Sequence, residues 1–453
     1  MQAEDLTDCV VDETDRGVFT VHRDVYRDPD IFELEMRYIF ERSWVFLGIE
    51  DQIAKPHDYL TTWIGRQPVL VMRSGDGQVG AFLNTCSHRG AMLTQRERGN
   101  ARIHVCAYHG WSFDSSGRNA SIKDRKDACY SEAFERDDHD LVPVAKFGSY
   151  RGLMFGSLSA DVPSLEEHLG ETRFFLDLVL DQSPNGIELL PGSSTYVYKG
   201  NWKLQLDNAL DGYHLTSVHP SFIKIVQQRH SGGSNNKLTA LDFEAYRQRG
   251  SFTFANGHAA VWTRNPNPAI RPLYGMLDEL RARVGEERAN LMLDSRNLVL
   301  FPNVQFAENA SLQLRVIRPL AVDRTEMRSY VIAPKGESAA AREFRLRQFE
   351  DFFNSSGLAT SDDTTCYEDC QAGYKAHAVK WTQGYARGMT SVMKGANPAA
   401  RQFGFEPATS QYGDVLIQDE TIFHSAYREW RRLMARGAQA DAKASHAYVE
   451  GQR

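Results

Sequence analysis

The period of the apolar positions changes along the chain. Between Asp30 and Phe46, the residues Ile31, Phe32, Leu34, Met36, Ile39 and Phe40 recur at mostly helical spacing, which predicts an amphipathic lead-in helix. Beyond Gly48 the helical spacing gives way to short runs such as Pro68-Val-Leu-Val-Met72 and Val79-Gly-Ala-Phe-Leu83, separated by the hairpin signal Ser74-Gly-Asp-Gly77. A second hairpin turn is expected at Asp114-Ser-Ser-Gly117. From residue 156 onward, strands such as Thr195-Tyr-Val-Tyr198, Leu298-Val-Leu-Phe301 and Leu312-Gln-Leu-Arg-Val-Ile317 mix with helical stretches at Leu277–Val284, Arg342–Phe353 and Glu420–Met434. The last of these carries its apolar side through Phe423, Tyr427, Trp430 and Leu433. Strands and long helices without regular βαβ alternation predict an α+β fold. The expected divisions are an acidic arm and helix over 1–44, a small antiparallel β domain over 45–155, a larger α+β domain over 156–435, and a small, polar, partly disordered tail over 436–453.

Composition narrows the class. A chain of 453 residues exceeds what one core usually organises, so two domains are expected. Hydrophobic residues at 42% and charged residues at 25% are ordinary for a globular protein. Without an apolar run of membrane-spanning length or a signal-peptide pattern, the expected location is the cytoplasm. A net charge of -7, from 52 basic and 59 acidic residues, argues against nucleic acid or a membrane surface as partner. Six cysteines in a reducing compartment are free thiols or metal ligands.

The motif of highest specificity is Cys86-Ser-His88-Arg-Gly90 followed, after seventeen residues, by Cys106-Ala-Tyr-His109-Gly-Trp111. Each pair is expected at the tip of a β hairpin. The pattern fits a Rieske [2Fe-2S] centre, with Cys86 and Cys106 on one iron and His88 and His109 on the other. Imidazole in place of thiolate lowers the negative charge at the cluster and raises its potential. Two Cys and two His also make a tetrahedral zinc shell. Glycine soon after each His, with Trp111 beyond, suits tight loops around a cluster better than a zinc finger, whose second pair lies on a helix.

A second constellation is Asp211-Gly-Tyr-His214-Leu-Thr-Ser-Val-His219. Alone, this spacing also describes one exposed and one core histidine. Beside a cluster motif it reads as the two imidazoles of a mononuclear Fe(II) site, where two His and one carboxylate on one face leave positions open for dioxygen. The carboxylate comes from elsewhere in the chain.

Together these motifs, with Gly65-Arg-Gln-Pro68, Tyr150-Arg-Gly152, Asp181-Gln-Ser-Pro184, Gly200-Asn-Trp-Lys203 and Arg347-Gln-Phe-Glu-Asp-Phe-Phe353, resemble the large (alpha) subunit of Rieske non-haem iron ring-hydroxylating oxygenases, especially the benzoate, toluate and anthranilate 1,2-dioxygenase group. The resemblance covers almost the whole chain. It implies a Rieske domain, a helix-grip (START-like) α+β catalytic domain, and a third iron ligand within Ser361-Asp-Asp-Thr364. The aromatic Tyr367 four residues on selects Asp363, with Asp362 in reserve. It also implies that Asp211 bridges His109 of one subunit and His214 of the next, so that activity requires an oligomer: a ring of three large subunits (alpha3 or alpha3beta3) with a small beta subunit. Electrons come from NADH through a flavin and iron-sulfur reductase, with or without a ferredoxin. The implied reaction adds both atoms of O2 across the 1,2 positions of an aromatic carboxylate such as benzoate, anthranilate or 2-halobenzoate. A decarboxylating salicylate 1-hydroxylase is the alternative within the class. Outside it stands a plain electron carrier or zinc-stabilised module, for which the residues beyond 155 would be idle.

A carboxylate substrate entering an apolar pocket requires a cation or converging donors. Strict alternation puts Gln313, Arg315 and Ile317 on one face of their strand, making Arg315 the candidate and Arg264 and Arg296 its rivals. Cys366 and Cys370 are expected as buried thiols, and His104 as a solvent-facing strand residue. Cys9, Cys129, His230 and His258 fit no pattern.

Overall fold

Asp28 opens the helix Pro29–Glu35: its side chain accepts from the backbone of Asp30 at 2.8 Å and of Ile31 at 3.2 Å, and Pro29 occupies the first turn. The predicted lead-in helix is shorter than its apolar spacing implied, because Met36–Phe40 continues as a π turn. In the computed structural model, which describes residues 6–222, 224–225, 248–309, 311–413 and 419–450 (443–450 by backbone alone), the chain forms two units: Ile39–Glu166, and Met1–Tyr38 with Glu167–Arg453.

The smaller unit is antiparallel β. One sheet has the order Val79–Leu83, Gln67–Arg73, Asp58–Ile64, Arg98–Asn100, and a second joins Ile103–Val105, Ser112–Asp114 and Asn119–Ser121. In a third, Leu153–Ser157 lies between Lys146–Tyr150 and Val45–Ile49 and pairs with both. Both predicted hairpin turns form, with Gly77 and Gly117 at positive φ. At Gly117 a side chain would also collide with Phe82, since a Cβ there would lie 2.3 Å from its ring. The core includes Tyr59, Leu70, Met72, Trp111 and Phe113, with Cys86 and Cys106 among them. Only the second Cys/His pair sits on a hairpin. The first lies on the connection from Val79–Leu83 to Arg98–Asn100, strands at opposite edges of one sheet, so the hairpin expected there is corrected to a crossover loop. His104 is also corrected: it is buried, its ring edge-on to Tyr59 at 5.0 Å, because its short strand is covered where solvent was expected.

The larger unit contains, among the described residues, a ten-stranded antiparallel sheet. Its order is Ile187–Leu189, Arg324–Pro334, Leu312–Ala321, Val304–Glu308, Ser295–Leu300, Ala259–Thr263, Arg249–Thr253, Thr409–Gly413 and Met393–Lys394, with Ser194–Tyr198 also pairing along Arg324–Pro334. The α+β expectation holds. The helix Trp202–Asn208 packs on strand Leu312–Ala321, and Thr360–Gly373 packs on that helix. Side-chain amides lock the first helix to the sheet: Gln305 donates to the Gln205 carbonyl at 2.9 Å and Asn297 to the Ala209 carbonyl at 2.7 Å.

The final helix, His424–Glu450, buries Tyr427, Trp430 and Leu433 as the spacing predicts, and continues through the region expected as a loose tail. Cys366 and Cys370 are exposed, contrary to expectation: the helix that carries them buries Thr360, Asp363, Tyr367 and Gln371, and the cysteines fall off that face. Cys9 is buried and Cys129 exposed. His258 is structural, its Nδ1 accepting from the Phe301 amide at 3.0 Å and its Nε2 meeting the His168 carbonyl at 2.9 Å. His230 lies outside the described residues.

Glu35, fully buried, ties three helices together. It accepts from Trp202 Nε1 at 2.8 Å, Trp430 Nε1 at 2.6 Å and Lys203 Nζ at 2.6 Å. Removing one member strands a buried charge, at a cost of ~3–5 kcal/mol. Glu35→Ala is therefore expected to lower unfolding stability by about that amount in a urea titration, and Glu35→Gln by less. A loss below ~1 kcal/mol for the alanine variant would show that the knot is incidental.

Candidate active site

Two loops of the smaller unit repeat one backbone design. In the first, Gly90 N–H donates to the Cys86 carbonyl at 2.9 Å, and Cys86 N–H to Ala91. In the second, Gly110 N–H donates to the Cys106 carbonyl at 2.9 Å, and Cys106 N–H to Trp111. Both glycines have φ near +75°, at +74° and +75°, which explains the glycine after each histidine. The loops face each other: the free thiols of Cys86 and Cys106 lie within hydrogen-bonding reach, and the His88 and His109 ring centroids are 4.5 Å apart. Burial, with the neighbouring thiol, raises the Cys86 pKa. Trp111 stacks on His88 at 4.9 Å and 7°.

His88 Nδ1 and His109 Nδ1 are buried and have no protein partner. Two converging thiols and two orphaned imidazole nitrogens are the donor set of a Rieske cluster, so these residues fit it. Among the described residues, three ligand atoms spaced for a single ion occur in one group only, and it is not this one.

That one-ion group is His214, His219 and Asp363, whose ligand atoms lie within 4.8 Å of one another. His214 precedes the short helix Leu215–Val218 and His219 follows it. Asp363 comes from the first turn of Thr360–Gly373. Its Oδ1 lies 3.5 Å from His214 Nε2 and 3.2 Å from His219 Nε2. Both rings are engaged on their far side as well. His214 Nδ1 meets Asp211 Oδ2 at 3.1 Å, and His219 Nδ1 meets Asp362 Oδ2 at 3.4 Å. Burial opposes charge on His214, but Asp211 and Asp363 outweigh it and raise its pKa. The donor set and its spacing fit a mononuclear iron. Sequence reasoning missed Asn208, whose amide lies 3.4 Å from His214 Nε2 and 3.3 Å from Asp363 Oδ1.

A cavity of about 270 Å³ opens on this group. Its walls include Phe352, Phe353, Trp262, Val261, Ala307 and Arg315. Arg315 is buried, with its guanidinium 4.6 Å from the Phe353 ring centre. With its amide oxygen turned toward Arg315, Gln313 accepts from Nε at 3.3 Å and Nη2 at 3.2 Å, consistent with the shared face read from alternation. Among the described residues, no carboxylate pairs with Arg315. The rivals differ: Arg296 is paired with Glu308, and Arg264 with Asp294 at 3.0 Å. Arg249, another buried cation of the wall, was not singled out by sequence because its strand is buried along its whole length and shows no polar-apolar alternation.

This fold and these two sites define an iron-dependent ring-hydroxylating oxygenase. The Rieske [2Fe-2S] domain model matches residues 43–135, and the ring hydroxylating alpha subunit (catalytic domain) model matches residues 189–436. The chain belongs to that alpha-subunit family and is an oxidoreductase carrying a Rieske cluster domain and a mononuclear iron domain. It is 41% identical to the 2-halobenzoate 1,2-dioxygenase large subunit of Burkholderia cepacia, over 97% of this chain and 94% of that protein. It is 42% identical to the toluate 1,2-dioxygenase alpha subunit of Pseudomonas putida, over 96% of each. Among solved structures, naphthalene 1,2-dioxygenase superposes with a TM-score of 0.78 at 25% identity, covering 94% of this chain and 96% of that one. No described helix is long and apolar enough to cross a membrane.

Replacing His214 or His219 with alanine is expected to empty the mononuclear site while the cluster's visible absorption persists. Iron analysis alongside the optical spectrum checks this, and a bleached cluster in either variant would contradict the separation of the two sites.

Proposed function

We propose that the chain is the large subunit of a terminal oxygenase that hydroxylates a monocyclic aromatic carboxylate, of benzoate, anthranilate or halobenzoate type, at its 1,2 positions. The observation that carries the substrate class is Arg315: a buried guanidinium in the wall of the cavity beside His214, His219 and Asp363, without a carboxylate partner among the described residues. An unpaired buried cation is costly, and a substrate carboxylate would neutralise it with a bidentate geometry that suits arginine. The names of the two curated relatives, a halobenzoate and a toluate dioxygenase, support the same class.

In this reading Cys86, His88, Cys106 and His109 hold the cluster, and His214, His219 and Asp363 hold the iron. When bound, the cluster supplies single electrons and the iron a site for dioxygen. The chain's own residues do the rest. Arg315 takes the carboxylate, the aromatic walls Phe352, Phe353 and Trp262 exclude water around the ring, and Asp211 fixes the His214 ring through Nδ1. Asp211 is partly exposed, and its Oδ1 accepts from the Tyr213 amide at 2.7 Å, so the carboxylate is held in one orientation while solvent still reaches it. That suits a link from His214 to His109 of a neighbouring copy. The partners in this reading are an NADH-dependent flavin and iron-sulfur reductase, with or without a ferredoxin, a small beta subunit, and two further large subunits. A decarboxylating salicylate 1-hydroxylase would use the same seat at Arg315 and differs in the number of oxygen atoms added.

With a surrogate reductase, Arg315→Met is expected to weaken binding of a benzoate by about 2–5 kcal/mol, roughly 30-fold or more in KM, and that of the matching benzamide far less. Equal losses for acid and amide would remove Arg315 from the site. For Asp211→Asn the expected outcome is full loading of both metal centres with turnover reduced about 100-fold. Near-normal turnover at unchanged iron content would end the bridging role.

A further inference from the structure

We infer that Asp362 is the positioning residue for His219, holding that ring as the Nδ1–H tautomer so that Nε2 is directed at the metal. The inference rests on the reading that His214, His219 and Asp363 hold the iron. Asp362 and Asp363 are adjacent on the first turn of Thr360–Gly373, so their side chains leave the helix about 100° apart. Asp363 is buried and reaches Nε2 of both histidines, whereas Asp362 is more exposed and reaches the opposite edge of one, His219 Nδ1 at 3.4 Å. His219 itself is 1% exposed, so a proton on Nδ1 needs a protein acceptor, and among the described residues Asp362 is the one within reach. Phe352 closes another side of the ring, edge-on at 6.0 Å.

Asp211 stands in the same relation to His214, which makes two carboxylate-backed imidazoles around one position. The two backing groups differ in origin. Asp211 lies on the chain segment of its own histidine, so it turns with that segment. Asp362 lies on the helix that also supplies Asp363, so one helix places a ligand in front of His219 and an acceptor behind it. A small rotation of that helix would move both together, which couples the orientation of His219 to the position of the carboxylate ligand.

A carboxylate behind a metal-bound imidazole typically changes metal affinity by about 10–100-fold. The test uses holoenzyme stripped of its mononuclear iron with the cluster intact, titrated with Co(II) and followed by the visible bands of the bound ion. Asp362→Ala is expected to weaken Co(II) binding by about 10–100-fold, and Asp362→Asn, whose amide oxygen still accepts from Nδ1–H, to recover part of the loss. An intact cluster spectrum in each variant reports that the chain is folded. Wild-type affinity in Asp362→Ala overturns the inference, as does Asp362→Asn being as weak as the alanine variant. Asp363→Ala separates this from the underlying reading: it should abolish Co(II) binding, and retention there with loss in Asp362→Ala would make Asp362 the ligand and displace the assigned triad.

Discussion

A metal-binding histidine is usually oriented by a hydrogen bond at its second ring nitrogen, and contacts of that kind converge in the catalytic unit. His214 and His219 come from a short, irregular stretch that could not by itself fix two rings. Both rings are contacted from two sides: Asp211 and Asp362 lie at their Nδ1 atoms, while Asp363 lies beside both Nε2 atoms. The large sheet and the helices on it make that arrangement rigid. Trp202–Asn208, which leads into Asp211, is stapled to the sheet by the amides of Gln305 and Asn297 and is fixed from behind by Glu35. The loops of the smaller unit solve the same problem differently: Trp111 stacks on His88, and each loop is closed by a bond from a glycine amide to its cysteine carbonyl.

The electrostatics of the cavity follow from the same economy of partners. Buried charges in this unit are mostly answered by the protein, as Lys203 is by Glu35, Arg345 by Glu337 and Arg296 by Glu308. Arg315 breaks that pattern at the wall of the cavity. Its neighbours are an amide and an aromatic face, which orient a guanidinium without neutralising it. In the proposed reading an anionic ligand answers that charge, which would favour an acid over a neutral ring of the same size.

Much of this was legible in the sequence, and the misses have physical causes. The Cys/His pairs and His214 with His219 could be read because each pair of proposed ligands lies within one short segment, so spacing reports geometry directly. The choice between Asp362 and Asp363 could not be read from spacing, because it depends on how a helix is rotated; resemblance supplied Asp363. The same rotation explains Cys366 and Cys370: Asp363, Tyr367 and Gln371 define a buried face from which both cysteines are excluded, and that face is too polar to register as an apolar stripe. His104 sits on a strand too short for alternation to be read, and Arg249 on one buried along its whole length, so neither face stands out in the sequence. Arg315 was favoured by alternation, but that its rivals are paired with Glu308 and Asp294 becomes visible only once the strands are assembled.

Turnover of a benzoate under 18O2 with a surrogate reductase, followed by mass analysis of the product, separates dioxygenation from its alternatives. The expected product is a ring-dihydroxylated acid in which both new oxygens carry the label of one dioxygen molecule. A product with a single labelled oxygen and loss of the carboxyl group, or reduction of the cluster without oxidation of any ring, would contradict dioxygenation.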